Sequence, residues 1–144
     1  MRLCAIPAIL CLAIVFFSCK KDPKSVSELA RKVWVVQTAE ENGTLVYTAG
    51  VPGSIRDYSN FQLDLSDVTI VRLIETDNSN STGEWTVEDS KLLVLKNLTP
   101  QSTGTGGTIS YVINSIDNTK LDISRQGTNL KTGNTTNRYV LIQK

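Results

Sequence analysis

The spacing of apolar and polar residues changes twice along the chain. An apolar run broken only by a proline occupies residues 3–17. After residue 24 the apolar residues recur at helical spacing, and Ser25 with Glu28 matches the pattern of a capping box. This pattern predicts a helix of about two turns over residues 26–32. From residue 33 the apolar period becomes two residues, which indicates β-strands.

The alternating part of the chain predicts eight or nine short strands. Asn42-Gly43, between the first two strands, is a strong hairpin signal. Polar or glycine-rich stretches separate the other strands, and the longest of these loops are Leu98–Gly107 and Gly127–Asn137. We expect strands over Val33–Thr38, Thr44–Thr48, Tyr58–Leu65, Val68–Glu75, Gly83–Glu88, Lys91–Lys96, Thr108–Ile116, Lys120–Gln126 and Arg138–Gln143.

The connections between the predicted strands decide the fold class. None of them is long enough to contain the crossover helix that parallel strands need, so we expect an antiparallel sheet of sequential neighbours. Such a sheet leaves unpaired edges unless it closes. We therefore predict an all-β fold, a small antiparallel up-and-down barrel of eight or nine strands with one short N-terminal helix. A two-sheet sandwich is the alternative, and the helix is expected to close one end of the sheet.

The apolar run near the N-terminus ends in Ser18-Cys19-Lys20, which is typical of a bacterial lipoprotein signal. The run is shorter than the ~20 residues of a membrane-spanning helix, and it follows a short basic start, as in signal peptides. We therefore interpret residues 1–18 as a signal peptide, 19–24 as a lipidated tether and 25–144 as the folded domain. Cleavage by an ordinary signal peptidase is the alternative.

On this interpretation Cys19 is the lipid-attachment residue and the protein is held at a membrane. Each buried methylene group of an acyl chain such as palmitate contributes ~0.8 kcal/mol, so several chains together anchor a protein durably. In the bacterial lipoproteins that this leader resembles, a residue other than Asp after the cysteine favours the outer membrane. Lys20 therefore predicts an outer-membrane protein, on the periplasmic face or the cell surface.

Length, charge and cysteine content further narrow the classes of protein to which the chain can belong. The 144 residues allow one domain. The chain has 15 basic and 14 acidic side chains, and Arg2 is the one charged residue before Cys19, so loss of the leader equalises the two counts. A neutral domain lacks the basic face that nucleic-acid binding needs, so we predict no nucleic-acid partner. All three cysteines lie at or before Cys19, and we expect a monomer without disulfides.

The side chains that commonly carry catalysis are scarce. Histidine is absent and no serine lies in a Gly-x-Ser-x-Gly elbow, so the usual base-activated nucleophiles are unavailable. The adjacent carboxylates Glu40-Glu41 and Glu88-Asp89 fall at predicted turns, where solvated charge is expected. Asp77–Ser81 has alternating oxygen ligands, but Thr82 stands where a calcium loop needs glycine. We predict that the protein is not an enzyme and holds no cofactor and no metal.

Several short segments follow one another in an order that matches a known family. They are Leu29–Trp34, Phe61–Leu65, Thr82–Trp85, Lys91–Leu95, Tyr111–Ile113 and Tyr139–Ile142. In these segments the chain resembles the lipocalin-like domains of small bacterial lipoproteins. Lys32-Val33 stands where that family commonly has glycine before the first tryptophan. The resemblance implies an antiparallel barrel and, loosely, ligand binding, without pointing to a particular ligand.

Five aromatic residues are the candidate ligand-binding residues, since the strand pattern turns them inward. They are Trp34, Phe61, Trp85, Tyr111 and Tyr139. In a lipocalin-like cup they would line a pocket for an apolar or ring-bearing ligand. The alternative is that they fill the core. Strands of about six residues span only ~20 Å, which favours a largely filled interior, with any cavity opening toward the loop after residue 98.

These patterns together predict a membrane-anchored envelope lipoprotein with a lipocalin-like barrel. Its expected partners are the membrane, through the lipid anchor, and either a small apolar ligand or an envelope protein. The alternative is a structural or accessory interaction module with a filled core and no ligand.

Overall fold

The structure consists mainly of β-strands that are hydrogen-bonded in sequence order. A computed structural model describes residues 22–144. The predicted signal peptide and Cys19 lie outside the described residues. The described strands are β1 (Val33–Glu41), β2 (Thr44–Thr48), β3 (Gln62–Asp64), β4 (Ile70–Ile74), β5 (Asn80–Glu88), β6 (Leu92–Thr99), β7 (Ile109–Ile116), β8 (Lys120–Arg125) and β9 (Asn137–Gln143).

Eight of these strands close into a barrel. The sheet order is β2-β1-β3-β4-β5-β6-β7-β8-β9, and an additional β1–β9 pairing joins its ends. One edge of β1 is paired with β9, whereas its other edge is shared by β3 near Val33 and by β2 near Glu41. β2 is therefore an extra hairpin strand beside the closed barrel. The predicted all-β antiparallel barrel is confirmed, and the sandwich alternative is wrong.

Helix α1 spans Val26–Ala30 and precedes β1. Its predicted capping box is present: the Ser25 side chain accepts from the backbone N–H of Glu28, and the Glu28 carboxylate accepts from the backbone N–H of Ser25. The helix ends two residues earlier than predicted because Lys32 leads directly into β1, and its carbonyl accepts from the N–H of Leu65 at 2.9 Å. Within residues 22–144, no helix has the length and apolar character to cross a bilayer.

Several predicted boundaries differ from the structure, and contacts distant in sequence explain the clearest of these differences. The strand predicted over Tyr58–Leu65 is reduced to β3, since Tyr58 belongs to the preceding loop and its hydroxyl donates to Glu41 at 2.8 Å. β6 continues to Thr99, beyond the predicted Lys96, and Leu98 is buried. The predicted loop over 127–137 contains a 3₁₀ helix, Leu130–Thr132.

The two ends of the barrel carry different elements. We call the end that carries α1 and the connections 65–69, 89–91 and 117–119 the helix end. We call the opposite end the loop end; it carries the β1–β2 hairpin and the connections 49–61, 75–79, 100–108 and 126–136. Since β1 begins beside α1, the N-terminal segment of the described chain enters the barrel from the helix end.

Large side chains fill the space between the two ends. Twelve of them are less than 2% exposed, and they come from nearly every strand of the barrel. These residues are Trp34, Tyr58, Tyr111, Tyr139, Leu63, Leu65, Leu73, Leu93, Leu95, Leu98, Leu121 and Ile123. The interior is therefore a packed core, as in small barrels whose diameter is just wide enough for side chains to fill.

Candidate functional site

The five aromatic residues predicted from the sequence are all buried, but they form two separate groups. Trp34 and Trp85 lie toward the helix end. The indole N–H of Trp34 donates to the carbonyl of Ala30 at 2.8 Å, and that of Trp85 donates to the carbonyl of Asp67 at 3.0 Å. Each indole thus has a backbone partner from a segment that covers this end, which holds α1 and the β3–β4 connection against the barrel.

The other three aromatic residues meet near the loop end. The ring centroids of Phe61 and Tyr139 are 5.0 Å apart and stacked, and Tyr111 approaches Tyr139 edge-on at 6.3 Å. Tyr58, which was not among the predicted site residues, completes the cluster with its ring 5.7 Å from Tyr139. Burial raises the pKa of the Tyr111 and Tyr139 hydroxyls, so both phenols stay neutral at physiological pH.

A first polar network ties the loop 49–61 to this aromatic cluster. Glu41, at the end of β1, accepts from the Arg56 Nε at 2.5 Å and from the Tyr58 hydroxyl at 2.8 Å. The Asn137 amide donates to the same Tyr58 hydroxyl at 3.3 Å, and Arg56 also donates to the carbonyl of Thr132 at 3.2 Å. The network therefore joins β1, the loop 49–61 and the 3₁₀ helix at the loop end of the core.

A second network is made of charged side chains that are nearly enclosed. Lys131 Nζ, from the 3₁₀ helix, lies 2.7 Å from Glu75 Oε2 and 3.0 Å from Asp77 Oδ2. Arg125 Nη1 lies 3.5 Å from Glu75 Oε1 on the other side. The side chains of Glu75, Arg125 and Lys131 are 4%, 5% and 8% exposed, respectively. Buried charges of this kind are rare unless they are paired.

This charged network was not predicted from the sequence, although the strand register contained a signal for it. Val71 and Leu73 of β4 face the core, and two residues further on the same alternation places Glu75 inside. On β8 the buried residues Leu121 and Ile123 are followed in the same way by Arg125. A charged residue in phase with an inward-facing run therefore indicates a buried charge.

The Asp77 carboxylate predicts an acid-sensitive contribution to stability. Partial burial alone would raise its pKa, but hydrogen bonds from Ser79 and Lys131 outweigh burial and hold the pKa at about 2, below its usual value of 3.8. A folded-state pKa below the unfolded value stabilises the protein above pH 3.8, and this contribution is lost as the pH falls toward 2. We expect Asp77→Asn to flatten the fall in the free energy of unfolding between these pH values, measured by urea denaturation.

The matched control for this prediction is Asp89→Asn, which removes an exposed carboxylate that makes no ion pair among residues 22–144. This variant should keep the acid slope of the native chain. Identical slopes for native protein and Asp77→Asn would contradict the prediction.

A groove lies beside the charged network, between two loops of the loop end. Its volume is about 450 Å³. On one side the groove is bounded by the 3₁₀-helix loop, where Leu130 packs so closely over Gly104 that a Cβ at position 104 would lie 2.5 Å from the leucine Cδ1. The residues that line the groove are Gly104, Thr105, Thr108, Ile109, Ser110, Arg125, Gln126, Gly127 and Thr128.

The closed antiparallel barrel with a short helix at one end defines a lipocalin-like fold. A crystal structure of a lipocalin-like protein from Bacteroides uniformis is similar, with a TM-score of 0.50 at 8% identity, covering 81% of this chain and 99% of that one. A crystal structure of an uncharacterized protein from Bacteroides eggerthii gives a TM-score of 0.48 at 9% identity, covering 78% and 98%, and adds nothing to the assignment. No family model matches the chain, and no curated protein matches it. The similarity supports the fold and a lipocalin-like domain.

Proposed function

We propose that the protein is a non-enzymatic lipoprotein of the outer cell envelope, anchored through Cys19, whose barrel is a binding module. The observation that carries the proposal is that the N-terminal segment and the long loops lie at opposite ends of the barrel. Residues 22–25 lead into α1 at the helix end, whereas the long loops are gathered at the opposite end. A lipid on the N-terminal side of residue 22 would therefore leave the loop end directed away from the membrane and free to bind.

The partner that this surface fits best is an envelope protein with an apolar contact area. The packed interior favours binding on the outside of the barrel. Three large apolar side chains on β2 and the following loop are exposed to solvent: Leu45, Val51 and Ile55 are 55%, 57% and 76% exposed. Apolar patches on a soluble domain are common at protein–protein contacts. On this proposal the chain is itself a monomer, and the partner covers these residues.

Metabolic labelling tests the anchor. The producing bacterium is grown with an alkyne-tagged palmitate, and the full-length chain is captured and compared with Cys19→Ala and Cys11→Ala. We expect label and membrane association in the native chain and in Cys11→Ala, and loss of both in Cys19→Ala. Equal label in the native chain and Cys19→Ala would reject the lipoprotein assignment.

A small apolar ligand is the second candidate, and the aromatic cluster favours it. Phe61, Tyr111 and Tyr139 lie directly beneath the loop end, where a ring-bearing molecule would meet them first if the loops opened. Native mass spectrometry of the chain purified from the producing cell separates the two candidates. A co-purifying small molecule supports the ligand, whereas a chain that carries no small molecule supports the protein partner.

A further inference from the structure

We propose that the groove between residues 104–110 and 125–128 binds the carboxylate of a small polar molecule, such as a hydroxy acid or sugar acid, through Arg125. This site is separate from the apolar surface of the proposed partner contact, and it holds whether or not the chain is lipidated. Neither polar network gives the Arg125 guanidinium a close partner.

Arg125 is nearly enclosed but poorly paired. Its side chain is 5% exposed, and its ion pair with Glu75 spans 3.5 Å, which is long for a charge-assisted hydrogen bond. Among residues 22–144 the only fully enclosed side-chain polar atom without a hydrogen-bond partner is Ser102 Oγ. The guanidinium nitrogens that lack a protein partner therefore keep an opening to solvent, and Arg125 is one of the residues that line the groove.

The charge around Arg125 favours an anion. Glu75 already has a closer cation, because Lys131 Nζ lies 2.7 Å from its other oxygen. The network holds two cations and two carboxylates, but the second carboxylate, Asp77, pairs with Lys131 and accepts from Ser79, whereas Arg125 has only the long contact with Glu75. An additional anion next to Arg125 would give its guanidinium the close partner that Glu75 does not provide.

The groove wall indicates what kind of molecule carries that anion. Most of the residues that line it besides Arg125 are polar or glycine, and they include three threonines, Ser110 and Gln126. Its volume of about 450 Å³ is within the usual range for small-ligand sites. A guanidinium presents two parallel N–H groups that match a carboxylate. A hydroxylated carboxylic acid therefore fits both the wall and the single arginine, because one carboxylate can accept from one guanidinium.

Calorimetric titration of the full-length chain in detergent micelles tests the site, with glucuronate as probe, glucose as the uncharged counterpart and inorganic phosphate as the competing anion. We expect saturable binding of glucuronate, none of glucose, and weaker binding of phosphate. Equal binding of glucuronate and glucose, absence of glucuronate binding, or tighter binding of phosphate would each overturn the proposal.

A charge introduced at the groove rim locates the binding. Gln126 is exposed, so Gln126→Glu should fold normally and weaken glucuronate binding about tenfold by placing a like charge beside the ligand. Gln143→Glu adds the same charge at the helix end and is expected to bind as the native chain does. Equal affinities of the two variants would place any binding elsewhere and overturn the assignment of Arg125. Neither result depends on whether Cys19 is lipidated.

Discussion

Replacing Trp34 with alanine is expected to lower the free energy of unfolding by about 3–5 kcal/mol, the range for removal of a large aromatic side chain from a packed core. Trp34 is fully buried, and its backbone is paired on both sides, with Leu63 of β3 and Gln143 of β9. Its indole N–H also holds the end of α1 through the carbonyl of Ala30. Urea denaturation followed by far-ultraviolet circular dichroism measures the change without depending on tryptophan fluorescence.

Trp34→Phe is the matched variant, since it keeps an aromatic ring and removes the indole hydrogen bond. The carbonyl of Ala30 still accepts from the backbone N–H of Lys32 at 2.7 Å. We therefore expect a cost of only about 1–2 kcal/mol. A cost below about 1 kcal/mol for Trp34→Ala would mean that Trp34 borders open space, and it would favour a cup with an interior ligand over the filled barrel.

The parts of the fold that could be predicted from the sequence are those whose cause is local. Ser25 and Glu28 are three residues apart and cap α1 as the pattern indicated. Asn42 and Gly43 both have positive φ angles, 50° and 76°, which is what a two-residue hairpin loop of this composition requires. Strand alternation was sufficient for the number of strands, and closure followed from the need to pair their edges.

The site was predicted less well because its residues are brought together by contacts distant in sequence. Tyr58 lies outside a strand, although a strand was predicted there, because its hydroxyl donates to Glu41, 17 residues earlier. The charged network comes from three separate segments, and no local pattern shows that they meet. Glu75 lies in the connection between β4 and β5, Arg125 in β8, and Lys131 in the loop after β8. Charged residues were expected to be solvated, so the candidate ligand-binding residues predicted from the sequence were all aromatic. The structure places charges as well as rings beneath the loop end.

Among the charged residues at the loop end, Glu75 is the one whose neutralisation should lower the free energy of unfolding most. We expect Glu75→Gln to lower the free energy of unfolding by about 3–5 kcal/mol, the usual cost of removing one partner of a buried ion pair. The substitution keeps the size of the side chain, but Arg125 is left without its carboxylate. Lys131 still reaches Asp77, so Arg125 carries most of the penalty. Urea denaturation at neutral pH measures the loss.

Two comparisons separate this effect from a general sensitivity of the loops. Asp77→Asn removes the other carboxylate bound by the same lysine, but at an exposed position, so it should cost less than about 1 kcal/mol. The triple variant Glu75→Leu, Arg125→Met, Lys131→Met removes all three enclosed charges and should be more stable than Glu75→Gln, because no charge is then left buried and unpaired. If Glu75→Gln and Asp77→Asn cost the same, the charged network is solvated in solution. In that case the Arg125 guanidinium is hydrated, and it lacks no partner that an anion in the neighbouring groove would supply.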